Sequence, residues 1–127
     1  MFNPDKYLTV KWQMGGRVFP ILDCYGLVHE VRKDLGLDEW PDFNGVVSDD
    51  GGMNREAQLF RNRVAETGPC EGAVAACFNH QLVVHLAIVI NIGGQLMVME
   101  SQKGTNVTIM EIQRFERRYR NQVRYFK

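Results

Sequence analysis

The chain has 127 residues, enough for one domain with a single hydrophobic core. Its hydrophobic fraction of 45% and charged fraction of 24% are typical of a globular protein. Fifteen basic and fifteen acidic residues balance, which excludes an overall field that would recruit nucleic acid or an anionic membrane. We therefore expect a single domain over residues 1–127, with neither nucleic-acid binding nor membrane insertion.

We expect neither a signal peptide nor a disulfide framework, the two features typical of small secreted proteins. The first residues, MFNPDKYLTV, have no charged segment followed by an apolar run, so we expect no secretory signal peptide. The longest apolar run, Leu82 to Ile90, is too short to span a bilayer. Three cysteines at irregular spacing argue against a disulfide framework. The sequence thus predicts folding in a reducing compartment.

The amino-terminal half is expected to be helical. After a lead-in over residues 1–21, apolar side chains recur at helical spacing over 23–36, where Gly36 ends the helix. An irregular loop over 37–47 follows. A second helix is predicted from roughly Met53 to Thr67.

The carboxy-terminal half is expected to form strands. Five stretches are rich in Val, Ile, Met and aromatic residues, and most are separated by turn residues. They are Ala73–Phe78, Leu82–Asn91, Gln95–Ser101, Val107–Gln113 and Gln122–Phe126. Short connections favour antiparallel neighbours. Helices followed by strands predict an α+β fold in which amino-terminal helices pack on a five-stranded antiparallel sheet.

Two residues carry the predicted chemistry. Cys24 lies at the start of the first predicted helix, where the helix dipole and unpaired amides favour the thiolate. His85 lies in the most apolar predicted strand, on the same face as the small residue Ala87, which leaves room beside the imidazole. Alone, His85 fits a core histidine bonded to a backbone carbonyl. Together with Cys24 it predicts a nucleophile and its general base.

A zinc site is the alternative interpretation of the cysteines and histidines. Cys70, Cys77, His80 and His85 could supply four ligands. No Cys-x2-Cys pair is present, and the spacing leaves the ligand geometry uncontrolled. We therefore predict no metal and no other cofactor.

The end of the chain is basic. Its positive residues are Arg114, Arg117, Arg118, Arg120, Arg124 and Lys127. A solvated sheet edge explains such a run most simply. The functional alternative is contact with another protein or with an anionic polymer.

Three blocks, in order, resemble the NlpC-type cell-wall cysteine peptidases, a family with a compact papain-like fold. WQMGG at 12–16 resembles the family's aromatic-x-x-Gly-Gly block, and DCYGLV at 23–28 resembles its Asp-Cys-Ser-Gly-Leu-Val nucleophile block. HLAIVI at 85–90 resembles its His-Val-Gly-Ile-Tyr-Leu strand. The match spans residues 12 to about 112. The tyrosine after the cysteine and the short chain look most like the branch found in bacteriophage and prophage tails.

The resemblance implies an activity and a location. Cys24 would attack a peptide bond of the peptidoglycan stem peptide, next to D-glutamate or diaminopimelate, with His85 as general base. Trp12, Asp23, Tyr25 and Gly26 would belong to the substrate-binding region. The protein would reside in the host cytoplasm during assembly and then in the virion tail, beside other phage tail proteins. The alternative is a structural tail-tip component that keeps the fold without catalysis.

Two positions depart from the family pattern or leave it open. Trp12 stands where the family usually has a tyrosine, and an indole cannot accept a hydrogen bond. The third catalytic residue would fall at Met99 or Glu100. Only Glu100 can orient an imidazole, and a shift of one residue in strand register decides which of the two faces His85. We predict Glu100.

Overall fold

The computed structural model of the protein describes residues 2–38, 40, 64–80 and 82–127. It has short helices and a six-stranded antiparallel sheet, which confirms the predicted α+β class. In chain order the elements are a 3₁₀ helix (Pro4–Thr9), β1 (Arg17–Val18), β2 (Ile21–Leu22), α1 (Cys24–Asp34), β3 (Glu66–Thr67), β4 (Val74–Asn79), β5 (Leu82–Ile92), β6 (Gln95–Gln102), β7 (Asn106–Glu111), α2 (Ile112–Arg118) and β8 (Val123–Phe126).

The prediction of five strands was wrong, because the sheet has six, in the order β3-β8-β4-β5-β6-β7. The additional strand, β3, comes from Glu66 and Thr67, which the sequence assigned to the end of the second helix. Their backbone pairs with Phe126 and Tyr125 of β8, so the outer edge of β8 is satisfied by main-chain hydrogen bonds. Residues 53–63 of that predicted helix lie outside the described residues.

Helix α2 was also not predicted. The strand expected over Val107–Gln113 ends at Glu111, and the chain then turns into α2. Phe115 is the one fully buried side chain of this helix, so the sequence carries little helical periodicity there. Helix α2 carries the chain back across the sheet, so that β8 pairs with β4 rather than with β7.

The two faces of the sheet are both covered, and each has its own hydrophobic cluster. Helix α1 covers one face, where Leu27, Val28 and Val31 pack with the strands. Phe115 of α2 belongs to the cluster on the other face, with the side chains of Ala87 and Val89. Burial on both faces explains why β5 is a nearly continuous apolar run rather than an alternating one.

Helix α1 begins and ends at residues that the sequence marks. The Asp23 side chain accepts a hydrogen bond from the Gly26 amide at 2.8 Å, which caps the amino terminus. At the other end Gly36 takes the left-handed conformation (φ 73°), and the Leu37 amide donates back to the Arg32 carbonyl. These local signals fix the register of the helix and thereby the position of Cys24.

Candidate functional site

Cys24 is the first residue of α1, as predicted. Its position depends on the close approach of the Gly15-Gly16 turn to the helix. A methyl group at Gly26 would lie 2.2 Å from the Gly16 carbonyl oxygen, so only glycine fits there. The Asp23 amide donates to that same carbonyl at 3.1 Å. The loop and the first helical turn are therefore locked together, and Cys24 is 8% exposed.

A β-bulge sets the direction of His85. His85 lies opposite Cys77 on β4, but the next pair is Val83 with Phe78, so Val84 is an extra residue on β5. Bulges re-aim the side chains around them. Strict alternation would place Val84 on the same face as Leu86, but Val84 is 45% exposed and Val83 lies in the core instead. The bulge therefore marks the boundary between the part of β5 that lies at the site and the part that lies in the core.

The structure places Glu100, rather than Met99, beside His85. His85 Nε2 lies 2.8 Å from Glu100 Oε1, and Glu100 is fully buried. Met99 packs in the core on the face covered by α1. The β5–β6 register, in which Ile88 pairs with Met99, brings Glu100 next to Ala87 and within reach of the imidazole. The small side chain of Ala87 leaves space for this carboxylate.

Cys24 hydrogen-bonds to His85. Since Nε2 of the imidazole contacts Glu100, we assign the hydrogen bond with Cys24 to Nδ1. Burial alone would lower the pKa of His85, but the hydrogen bonds and charges of Cys24 and Glu100 outweigh it and raise that pKa to about 9. The site therefore favours the imidazolium form of His85.

The carboxylate of Glu100 is held by donors from three other side chains. Arg118 Nη1 donates to Oε2 at 2.9 Å and the Tyr119 hydroxyl donates to Oε1 at 3.0 Å. Thr108 lies at 3.4 Å from Oε2. Burial would raise the pKa of Glu100, but His85, Arg118 and Tyr119 hold it below its ordinary value. Glu100 is thus an ionised, fully buried carboxylate with four donors.

Sequence reasoning missed Tyr119, and it assigned Arg118 to a solvated basic segment. Both residues lie at the end of α2, which was itself not predicted. A buried glutamate on a strand does signal that donors must surround it, because an ionised carboxylate without them is costly. That signal does not say where in the chain the donors lie.

A groove of about 410 Å³ opens over the cysteine and the histidine. Its lining comprises Trp12, Met14, Cys24, Val84, His85, Ser101, Gln102 and Lys103. Trp12 therefore lies at the wall of the groove, and its role in binding substrate stays a prediction. Its backbone amide donates to the Asn106 side chain at 2.9 Å, which ties this wall to β7. Lys103 is the cation in the lining.

The other three predicted substrate-binding residues lie below the surface. Asp23 caps α1 and also accepts a hydrogen bond from Arg17 Nη1 at 2.5 Å. The Arg17 guanidinium lies over the ring of Tyr25, which is 1% exposed. Gly26 is buried against the Gly15-Gly16 turn. These contacts are structural, and a role of the three residues in binding substrate stays a prediction.

The zinc alternative finds no support among the described residues, since no group of three His, Cys, Asp or Glu there could hold a metal ion. All three cysteines are free thiols. Burial raises the pKa of Cys77, so this thiol stays neutral beneath the site. In the same part of the chain, no helix is long and apolar enough to cross a membrane.

Half of the basic carboxy-terminal residues are held by contacts within the protein. Arg118 pairs with Glu100, Arg124 pairs with Glu66, and the Lys127 ammonium donates to the Glu71 carbonyl at 3.0 Å. The segment is therefore partly structural and partly a solvated edge.

Comparisons of the chain with protein-family models, with curated proteins and with solved structures find no match. The fold and the site define an α+β protein in which a helix-terminal cysteine, a histidine and a buried glutamate form one hydrogen-bonded chain. The functional argument rests on that geometry and on the sequence motifs.

Proposed function

We propose that the protein is a cysteine hydrolase that cleaves peptide bonds of the peptidoglycan stem peptide. The observation that carries this proposal is the hydrogen-bonded order Cys24–His85–Glu100 at the floor of a groove. Each member meets the requirement of its role: a thiol at a helix amino terminus, an imidazole with a raised pKa, and a carboxylate that fixes the imidazole.

The proposed reaction uses these groups in sequence. The Cys24 thiolate attacks the peptide carbonyl carbon, and the resulting oxyanion is stabilised by the Cys24 backbone amide at the start of α1. The C–N bond then breaks as imidazolium Nδ1 of His85 protonates the leaving amine. Water attacks the remaining thioester, with His85 accepting its proton, and the C–S bond breaks to release the acid and return the Cys24 thiolate beside the imidazolium.

The lining of the groove suits a peptide with free carboxylates. Trp12, Met14 and Val84 supply apolar walls, and Lys103 supplies a positive charge. Stem peptides carry free carboxylates on D-glutamate and diaminopimelate, the residues beside the bond that the resemblance implies. Lys103 is placed to attract such a group by charge.

The setting in a phage tail rests on the sequence resemblance. We infer a protein made in the host cytoplasm and carried in the virion tail beside other tail proteins. A tail-tip component without catalysis is the competing function. It is disfavoured by the hydrogen bond between Glu100 and His85, because catalysis requires an oriented imidazole beside Cys24 and a structural role does not.

The test is digestion of purified peptidoglycan by the wild type and by Cys24→Ala, with Cys70→Ala as the matched control. We expect wild type and Cys70→Ala to release new amino termini at equal rates and Cys24→Ala to release none. Equal absence of cleavage in all three proteins would contradict the proposal. Cleavage that survives Cys24→Ala would also contradict it.

A further inference from the structure

Tyr119, at the end of α2, contacts both His85 and Glu100. Packing alone does not explain this arrangement. Tyr119 lies with its ring stacked on His85, at 5.5 Å between centroids and 19° between planes. Its hydroxyl donates to Glu100 Oε1, the same oxygen that His85 Nε2 contacts. One side chain therefore fixes the plane of the imidazole and the position of the carboxylate that orients it.

Arg118 completes a closed cycle of four side chains. Its Nη1 donates to Glu100 and its Nη2 donates to Gln102 Oε1 at 2.6 Å. The Gln102 amide then donates to the Tyr119 hydroxyl at 2.6 Å, and Tyr119 returns to Glu100. Such a cycle has one consistent set of donors and acceptors, so no member can rotate without breaking two hydrogen bonds.

The direction of each bond in the cycle follows from chemistry. Arginine has only donors, so Glu100 Oε2 must accept from Arg118, and the lowered pKa of Glu100 leaves Oε1 an acceptor as well. Burial and the charge of Glu100 raise the pKa of Tyr119, so its phenol keeps the proton that it donates. Glu100 Oε1 thus accepts from both Tyr119 and His85. The neutral imidazole must therefore carry its proton on Nε2. This tautomer leaves Nδ1 unprotonated on the Cys24 side.

We propose that Arg118 and Tyr119 are the positioning residues of the site, which hold the His85 imidazole in the plane and tautomer that present Nδ1 to Cys24. This inference rests on the proposed function for its purpose, but its geometry is independent of the substrate. Among the described residues, the titratable and charged groups around His85 are Cys24 from α1, Cys77 from β4, Glu100 from β6, Arg118 with Tyr119 from the end of α2, and Lys103 in the groove lining.

The experiment follows the His85 imidazole by ¹⁵N NMR across pH in the full chain, for Tyr119→Leu, Tyr119→Phe and Arg118→Gln. Tyr125→Phe and Arg124→Gln are the matched controls, because each loses the same kind of bond, to Glu116 and Glu66, away from the site. Thermal unfolding establishes that each variant is folded. Cleavage of peptidoglycan is measured separately.

We expect wild type and both controls to titrate His85 near pH 9. Tyr119→Leu should lower the midpoint by about one unit or more, toward 6.5, because the bonds that raise it are loosened. In Arg118→Gln and Tyr119→Leu the neutral ring should show both tautomers. Tyr119→Phe, which keeps the stacked ring, should fall between wild type and Tyr119→Leu and so rescue part of the effect.

The proposal is overturned if all three site variants titrate like their controls with an unchanged Nε2–H tautomer. Tyr119→Phe decides the matter if Tyr119→Leu fails to fold. A wild type that titrates near pH 9 but does not cleave peptidoglycan would refute the proposed function and leave the positioning role standing.

Discussion

Glu100→Gln is the most informative single change, because the amide has the shape of the carboxylate but can accept at only one end. Arg118 and Thr108 donate to Oε2, and arginine cannot accept a hydrogen bond, so the Gln oxygen will stay at that end. The Gln NH2 group will therefore face His85 Nε2. That nitrogen must then accept, and the imidazole proton moves to Nδ1, where it blocks the base that serves Cys24.

The size of the expected loss in activity follows from the charge and the tautomer of the His85 ring. Burial lowers the pKa of His85, but Cys24 and Glu100 outweigh it, and the net rise from 6.5 to about 9 corresponds to ~3 kcal/mol in favour of the imidazolium. Losing the Glu100 share and adopting the wrong tautomer should lower kcat at least about a hundredfold, or about 2.7 kcal/mol in activation free energy. Glu100 is fully buried and does not line the groove, so KM should change little.

The assay combines peptidoglycan hydrolysis at pH 7 with ¹⁵N NMR of His85, and Glu116→Gln is the control. Glu116 accepts a bond from Tyr125 at 2.8 Å, so its variant loses a comparable contact outside the site. We expect Nδ1–H in Glu100→Gln and a control that behaves as wild type. A Glu100→Gln protein that keeps the Nε2–H tautomer and full activity would refute the reasoning.

Three further predictions concern stability. Gly26→Ala should destabilise the protein by about 1–3 kcal/mol in urea unfolding, because its methyl group would overlap the Gly16 carbonyl; an unchanged midpoint would contradict this close approach. Asp23→Ala should cost about 2–4 kcal/mol in the same assay, since it removes the helix cap and the ion pair with Arg17. A loss below about 0.5 kcal/mol would contradict that assignment. Because the folded pKa of His85 lies above its unfolded value of 6.5, its stabilisation should be complete below pH 6.5 and be lost as pH rises to about 9. Urea unfolding against pH should show this decline in wild type and not in His85→Gln, and parallel curves would contradict it.

The sequence predicted the elements whose signals are local. Helix α1 carries its own cap at Asp23, an apolar face and a terminal glycine, so its bounds could be predicted to within two residues. Strands β4, β5 and β6 are apolar runs separated by turn residues, and their predicted bounds agree closely. The positions of Cys24 and His85 follow from these elements.

What could not be predicted depends on contacts between distant parts of the chain. Strand β3 exists because β8 offers it a main-chain edge, and two residues carry no pattern of their own. The choice between Met99 and Glu100 depends on register, which is set by pairing across the sheet. Tyr119 reaches His85 only because α2 turns the chain back over the sheet.

The central claim is that His85 activates Cys24, and selective alkylation tests it most directly. Iodoacetamide would be reacted with the full chain at pH 6, and the modified cysteine identified by mass mapping. Exposure alone favours Cys70, which is partly exposed, over Cys24, which is buried. The account predicts that Cys24 reacts first, by a factor of about ten or more, and that His85→Ala abolishes this preference without changing Cys70. Preferential modification of Cys70 in the wild type would contradict it.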